Sequence, residues 1–291
     1  MDEGRNNNDV SESDLDKGHE PDAEKVHFPD YYTLTHRLLD YFSISTSLAL
    51  GTKPSALKPY HTFATPTTTF HLATKPLAWL TLDEAATAYQ LPNLKGAIAT
   101  FLADEDTCLQ GQEHDVSKLQ VWHKVHVQQL LYHNKSLLPP QTLHAILPST
   151  TNFYGRYNSV IISLHTQSDW PQGGLVGHSV PQLQMIFRIP RLDLFLTYVQ
   201  HFNIIPQPSP TNVSPVTGMH TLKQAVRRNG QHIGEVIPLT RIQSLAHLVP
   251  NFRHTAHSHL MSSSSYELSN EFWLNKYISK EFYYALSLTY M

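Results

Sequence analysis

Between Gly155 and Phe202 the stretch GRYNSVIISLHTQSDWPQGGLVGHSVPQLQMIFRIPRLDLFLTYVQHF carries three segments with strand periodicity, and nothing else in the sequence constrains the fold as much. In the first, Val160, Ile162 and Leu164 share one face and Ser159 and Ser163 the other. In the second, Leu183, Met185, Phe187 and Ile189 alternate with Gln182, Gln184 and Arg188, and Ile186 breaks the rule. A period of two belongs to a strand with one apolar face. The third, Leu194 to Phe202, carries large apolar groups on both faces, as a central strand covered on both sides does. Trp170-Pro171-Gln172-Gly173-Gly174 supplies a turn between the first two. The stretch predicts an antiparallel sheet at the centre of the chain, and it holds no catalytic motif.

The flanks add helices and a hairpin. Leu34, Leu38 and Phe42 fall on one stripe of a helix over PDYYTLTHRLLDYF, and the Pro- and Thr-rich stretch from Gly51 to Phe70 reads as an extended connection. Thr81-Leu82-Asp83-Glu84 is a capping box. A short helix follows it. Pro92 suits the first turn of the next, where Leu94, Ala97, Ile98, Phe101 and Leu102 repeat at helical spacing. Leu119 to Gln128 alternates as one strand, with His123 on its apolar face. Asn229-Gly230 predicts a two-residue type I′ hairpin in which Val226 opposes Ile233 and Leu222 opposes Ile237. Thr240 caps an expected short helix carrying Ile242, Leu245 and Leu248. The aromatic C-terminus, with a cap at Ser269 or Asn270, is expected to anchor on the sheet through Phe272, Trp273 and Tyr277.

These elements predict an α+β protein. An N-terminal helical layer and an aromatic C-terminal segment flank a central antiparallel sheet that curls into a barrel or sandwich. By residues, 1–26 form an acidic tail, 27–112 a helical region, 113–268 a β-rich domain and 269–291 a closing segment. The expected core includes Val121, Val125, Val160, Ile162, Leu183, Met185, Phe187, Leu196, Val199, Val226, Ile233, Val236 and Ile237.

Charge narrows the function classes. Residues 1 to 25 hold nine acidic and three basic side chains, a net of −6, which leaves +3 on the rest of a chain whose total is −3. That balance is far from a dedicated nucleic-acid binder. One cysteine, Cys108, allows no internal disulfide and lies among carboxylates that disfavour a thiolate. No signal-peptide core and no run of about 18 apolar residues exists, so an intracellular protein is expected, with nothing to choose between nucleus and cytoplasm.

Nineteen histidines invite a metal site, densest at His254, His257 and His259 with His247 nearby. The first two are three apart and no glutamate stands between them, unlike H-E-x-x-H. No metal, cofactor or catalytic residue is therefore assigned. One basic cluster remains, Lys223, Arg227 and Arg228 on the hairpin with Arg241 following, which as an exposed ribbon can meet phosphates. A solvated, aggregation-blocking face explains the same charges.

Seven phrases in fixed order carry a family resemblance: LTLDEAATAYQLPNLKGAIATFLADE, VWHKVHVQ, GRYNSVII, GGLVGHSVPQLQMIFR, LTYVQHF, GMHTLKQAVRRNGQHIGEVIPLTRIQSLAHLVPNF and EFWLNKYISKEFYYAL. Over roughly Phe28 to Leu286 the chain resembles the C-terminal part of basidiomycete Plavaka-type transposon proteins, allied to the Kyakuja-Dileera-Zisupton transposases. The resemblance implies transposon ancestry and a fungal source. In such proteins the RNase H-like nuclease lies upstream, so no family catalytic residue maps here and the chain is expected to be the terminal module alone. The resulting expectation is a non-catalytic accessory module that docks a protein partner. A nucleic-acid-binding module using the Lys223, Arg227 and Arg228 hairpin is the alternative, and a small metal-dependent hydrolase ranks below both. No membrane partner is expected.

Overall fold

The computed structural model describes residues 60–109, 116–130, 138–150, 153–165, 169–190, 192, 194–208, 212–252, 258–261 and 264–287. The acidic tail and the Pro29 to Phe42 segment lie outside them. A small sheet orders β1 (Tyr60–Ala64), β2 (Thr68–Ala73), β5 (Lys124–Gln129), β6 (Gln141–Ile146) and β7 (Arg156–Tyr157). The large sheet is built on two long antiparallel strands, β9 (His178–Arg188) and β10 (Phe195–Ile204). On its outer side β9 holds β8 (Ser159–Ser163) near one end and β4 (Lys118–Trp122) near the other, and β3 (Ala78–Thr81) pairs with β4. On its outer side β10 holds β12 (Gly234–Pro238) and then β11 (His220–Gln224). β13 (Ile242–Ala246) pairs with β8, while β15 (Glu271–Leu274) lies between β11 and β14 (Leu248–Pro250).

Both faces of the β9–β10 pair are covered. On one, α1 (Leu82–Ala88) and α2 (Leu94–Leu109) pack Ala85, Tyr89, Leu94, Ile98 and Phe101 against Met185, Phe187, Leu196 and Tyr198. On the other, the small sheet packs Phe70, Leu72, Val125 and Leu143 against Leu183, Ile186, Val199 and Ile237. A third cluster joins Val180, Phe202 and Leu222 to Phe272, Leu274 and, from α4 (Lys280–Ser287), Phe282, Ala285 and Leu286. The arrangement is mainly antiparallel β and loosely sandwich-like. Among the described residues the expected barrel is not found, because neither sheet closes on itself.

Short polar devices stitch the layers together. Thr81 Oγ1 accepts from Glu84 N at 3.3 Å and Glu84 Oε2 accepts from Thr81 N at 2.7 Å, so the capping box forms as the sequence predicts. Asn158 ties the sheets: its Oδ1 accepts from His144 N of β6 at 2.7 Å and its backbone oxygen from Leu183 N of β9 at 2.8 Å. No helix among the described residues is long and apolar enough to cross a membrane.

Several expectations are corrected. Residues 60–81, placed in the helical region, form β1 to β3, because the β-branched threonines of this stretch suit a pleated surface. The single strand from Leu119 to Gln128 is two strands in different sheets, and half-buried His123 is the corner between them. The helix expected after Thr240 is strand β13, preceded by one 3-10 turn at Leu239–Arg241. A register shift between Ile242 and Ser244 leaves Gln243 as an extra residue, which brings Ile242 and Leu245 into one core at a spacing that mimics a helix. Ser269 and Asn270 start no helix: Ser269 closes the short helix Ser265–Leu268 and strand β15 follows, and Tyr277 is exposed whereas Phe272 is fully buried.

The hairpin differs most. Arg227 N donates to Gln231 O and Val226 bridges His232, so the tip holds Arg228, Asn229 and Gly230. Gly230 alone of these has a positive φ, +82°, the pattern of a three-residue loop closed by a left-handed glycine. The arms then part, each pairing with β10 instead of with the other. Val226 and Ile233 consequently lose the core places expected of them and are 47% and 38% exposed, while the other expected core residues are buried.

Candidate functional site

The site follows from one irregularity in β9. Tyr198 pairs with Met185 and Val199 with Leu183, so Gln184 is an extra residue with no partner on β10. Such a bulge re-aims the side chains around it. Leu183 and Ile186 therefore join the core under the small sheet, whereas Met185 and Phe187 join the core under the helices. Ile186, the exception to the sequence alternation, is the trace of this bulge.

On the helix-facing side the bulge opens a polar band between two apolar cores. Phe187–Leu196 and Met185–Tyr198 lie under α1 and α2, and Val180–Phe202 belongs to the third cluster. Between them runs a cross-strand row, Ser159 to Gln182 to Gln200 to Gly234, over β8, β9, β10 and β12. Gln182 and Gln184 are each only 7% exposed. Amides buried on central strands are costly unless they find partners.

Above the row is a cavity of about 370 Å³. Its floor is Gln182, Gln184 and Gln200, with Gln224 from β11; Tyr89 and Gln90 enter from the end of α1 and Tyr266 and Glu267 from α3 (Ser265–Leu268). Tyr154 and Tyr157 approach from the segment around Gly155, which has φ +67° and where a Cβ would stand 2.4 Å from Ile146 O, so glycine is required there. Phe153 is 77% exposed beside it.

Hydrogen bonds fix part of the lining. Gln184 Nε2 donates to Gln182 Oε1 at 2.8 Å, and Gln224 Nε2 donates to Tyr266 O at 2.7 Å. The Ser159 and Tyr266 hydroxyls lie 2.8 Å apart. The Tyr89 hydroxyl is buried with no hydrogen-bond partner. Burial pushes the Tyr89 phenol far above its ordinary range, and burial with the Glu267 charge pushes Tyr157 up to about 12. Both stay neutral at physiological pH. The cavity is thus a surface of neutral donors and acceptors with one carboxylate and, among the described residues lining it, no Lys or Arg.

The sequence-predicted site residues lie elsewhere. Lys223, Arg227 and Arg228 are exposed on β11 and the hairpin tip, and the adjoining His232 reaches the cavity. Arg241 is half-buried beyond the far end of β12, which lies about 25 Å of strand from the tip. The four cations therefore form no single patch. His254 and His257 lie outside the described residues, and no group of three potential metal ligands occurs among the described ones. Sequence reasoning missed Gln182, Gln184 and Gln200 because glutamines opposite an apolar face read as solvated. The available signal was a strand apolar on both faces lying next to one with glutamines at alternate positions.

Residues 42–222 match the family described as a domain of unknown function (DUF6830), well over half of the chain. No curated protein and no solved structure matches.

Proposed function

The chain belongs to the family described as a domain of unknown function (DUF6830), and from that premise we propose that it is a non-catalytic binding module that docks a neutral polypeptide segment in the glutamine–tyrosine cavity. The lining carries this reading: buried amides on the central strand β9, phenols from the elements around it, and no Lys or Arg among the described residues facing them. Tyrosine gives rigid contact area at little entropic cost and amides give adaptable hydrogen bonds, the combination used by protein-recognising surfaces. Main-chain amides offer the matching donor and acceptor. The resemblance to the C-terminal part of Plavaka-type transposon proteins supports an accessory role beside a transposase, with protein as the partner.

A nucleic-acid reading has its own observation, the exposed Lys223, Arg227 and Arg228 beside the cavity. Phosphate binding draws affinity from many cations, and three along one arm and turn are few. Two assays separate the readings. In selection of random peptides displayed against the whole protein, enrichment lost in a Gln182→Leu variant supports docking in the cavity, and enrichment indifferent to that variant sinks it. A salt titration with single- and double-stranded DNA does the converse. Sub-micromolar, salt-sensitive binding lost in an Arg227→Glu/Arg228→Glu variant establishes the nucleic-acid reading.

A further inference from the structure

We propose that the cavity selects a segment by an uncharged carboxamide side chain, asparagine or glutamine, seated against Gln182, Gln184 and Gln200. This rests on the docking reading above. The Gln184-to-Gln182 bond uses one donor and one acceptor and orients both amides, leaving Gln184 Oε1 to accept and Gln182 Nε2 to donate. Among the described residues no hydrogen bond engages the Gln200 amide, which lies next to Gln182 across the strand pair. The Tyr89 hydroxyl is buried without a partner in the same cavity. The floor therefore lacks partners of both kinds, side by side.

A primary carboxamide carries donors and acceptors in one plane and satisfies both. A carboxylate only accepts, brings a charge that no lining cation receives, and meets Glu267. An ammonium only donates and leaves the amide nitrogens unmet. An apolar side chain leaves every amide unpaired, which sites built on buried hydrogen bonds penalise strongly. The volume suits a ligand at the small end of pocket sizes, a side chain with its flanking main chain.

The test uses the whole chain and three matched probes: the N-acetyl methylamides of glutamine, glutamate and norleucine. Their affinities are read from chemical-shift changes of glutamine side-chain amides. The expected result is binding of the glutamine probe about tenfold or more tighter than the other two. Gln200→Leu should erase that preference at an unchanged melting temperature, and Gln200→Asn, which keeps a shorter amide, should retain part of it even if the leucine variant fails to fold. Equal binding of the three probes, or a preference surviving in Gln200→Leu, overturns the selection. If display-selected peptides still depend on Gln182 while the probes bind alike, docking stands and the carboxamide rule falls. If neither peptides nor probes perturb these amides, both fall.

Discussion

The ring of Tyr198 occupies the place of a side chain on Gly234: a Cβ built on that glycine would stand 2.4 Å from the tyrosine hydroxyl oxygen and 2.5 Å from the ring carbon bearing it. Tyr198 is itself buried in the helix-side core, so it has little room to retreat. Gly234→Ala is expected to destabilise the protein by about 1–3 kcal/mol, the usual cost of overpacking. Thermal or urea denaturation measures it. In a Tyr198→Leu background the cost should fall, and strict additivity of the two changes would refute the contact.

Phe187 is fully buried between β9 and the helices. Phe187→Ala should cost ~3–5 kcal/mol, because the rigid sheet below and α2 above cannot collapse into the space. A loss below about 1 kcal/mol would remove Phe187 from the core.

Stability should fall in mild acid. His71, buried in the small sheet beside His126 and 3.0 Å from Thr62 Oγ1, is held down to about 4 by burial and then by the His126 charge. Burial, with Arg156, Lys124 and His126, lowers His144 to about 4, and burial with Lys276 does the same to His220. Each folded value lies below the unfolded one of 6.5, so the unfolded chain binds more protons between them. The contribution is complete above about pH 6.5 and drains away as pH falls toward about 4. Melting temperatures across pH 4 to 8 should show this slope, and His71→Asn should flatten it. A melting temperature unchanged between pH 7.5 and 5 would contradict it.

The Thr81 cap is a local and separable feature. Thr81→Ala removes the acceptor for Glu84 N at the start of α1 and should cost about 1 kcal/mol. Thr81→Ser, which keeps the oxygen, should recover most of that in the same denaturation assay.

What the sequence reveals here depends on how local the signal is. The capping box, the helical stripe of α2 and the strands from Ser159 to Phe202 are each written in adjacent residues, and each forms. The hairpin misleads because Asn229-Gly230 reports the turn but not the partners of its arms, and both arms prefer the long edge of β10. Ile242, Leu245 and Leu248 mislead because an extra residue in a strand imitates the spacing of a helix. The cavity was hidden for a related reason. Its glutamines mark a polar face in sequence, and only the flanking helices and α3 turn that face into an interior.

The bulge in β9 has a consequence for what can be separated in this protein. Leu183 already pairs with Val199 and Met185 with Tyr198, as they would if the two residues were neighbours in the chain. Gln184 is slack between them. A chain lacking it would keep every pair of β9 with β10 and both cores in place, and would lose the amide that holds Gln182 in position. The residue that the sheet can spare is the one around which its polar floor is arranged.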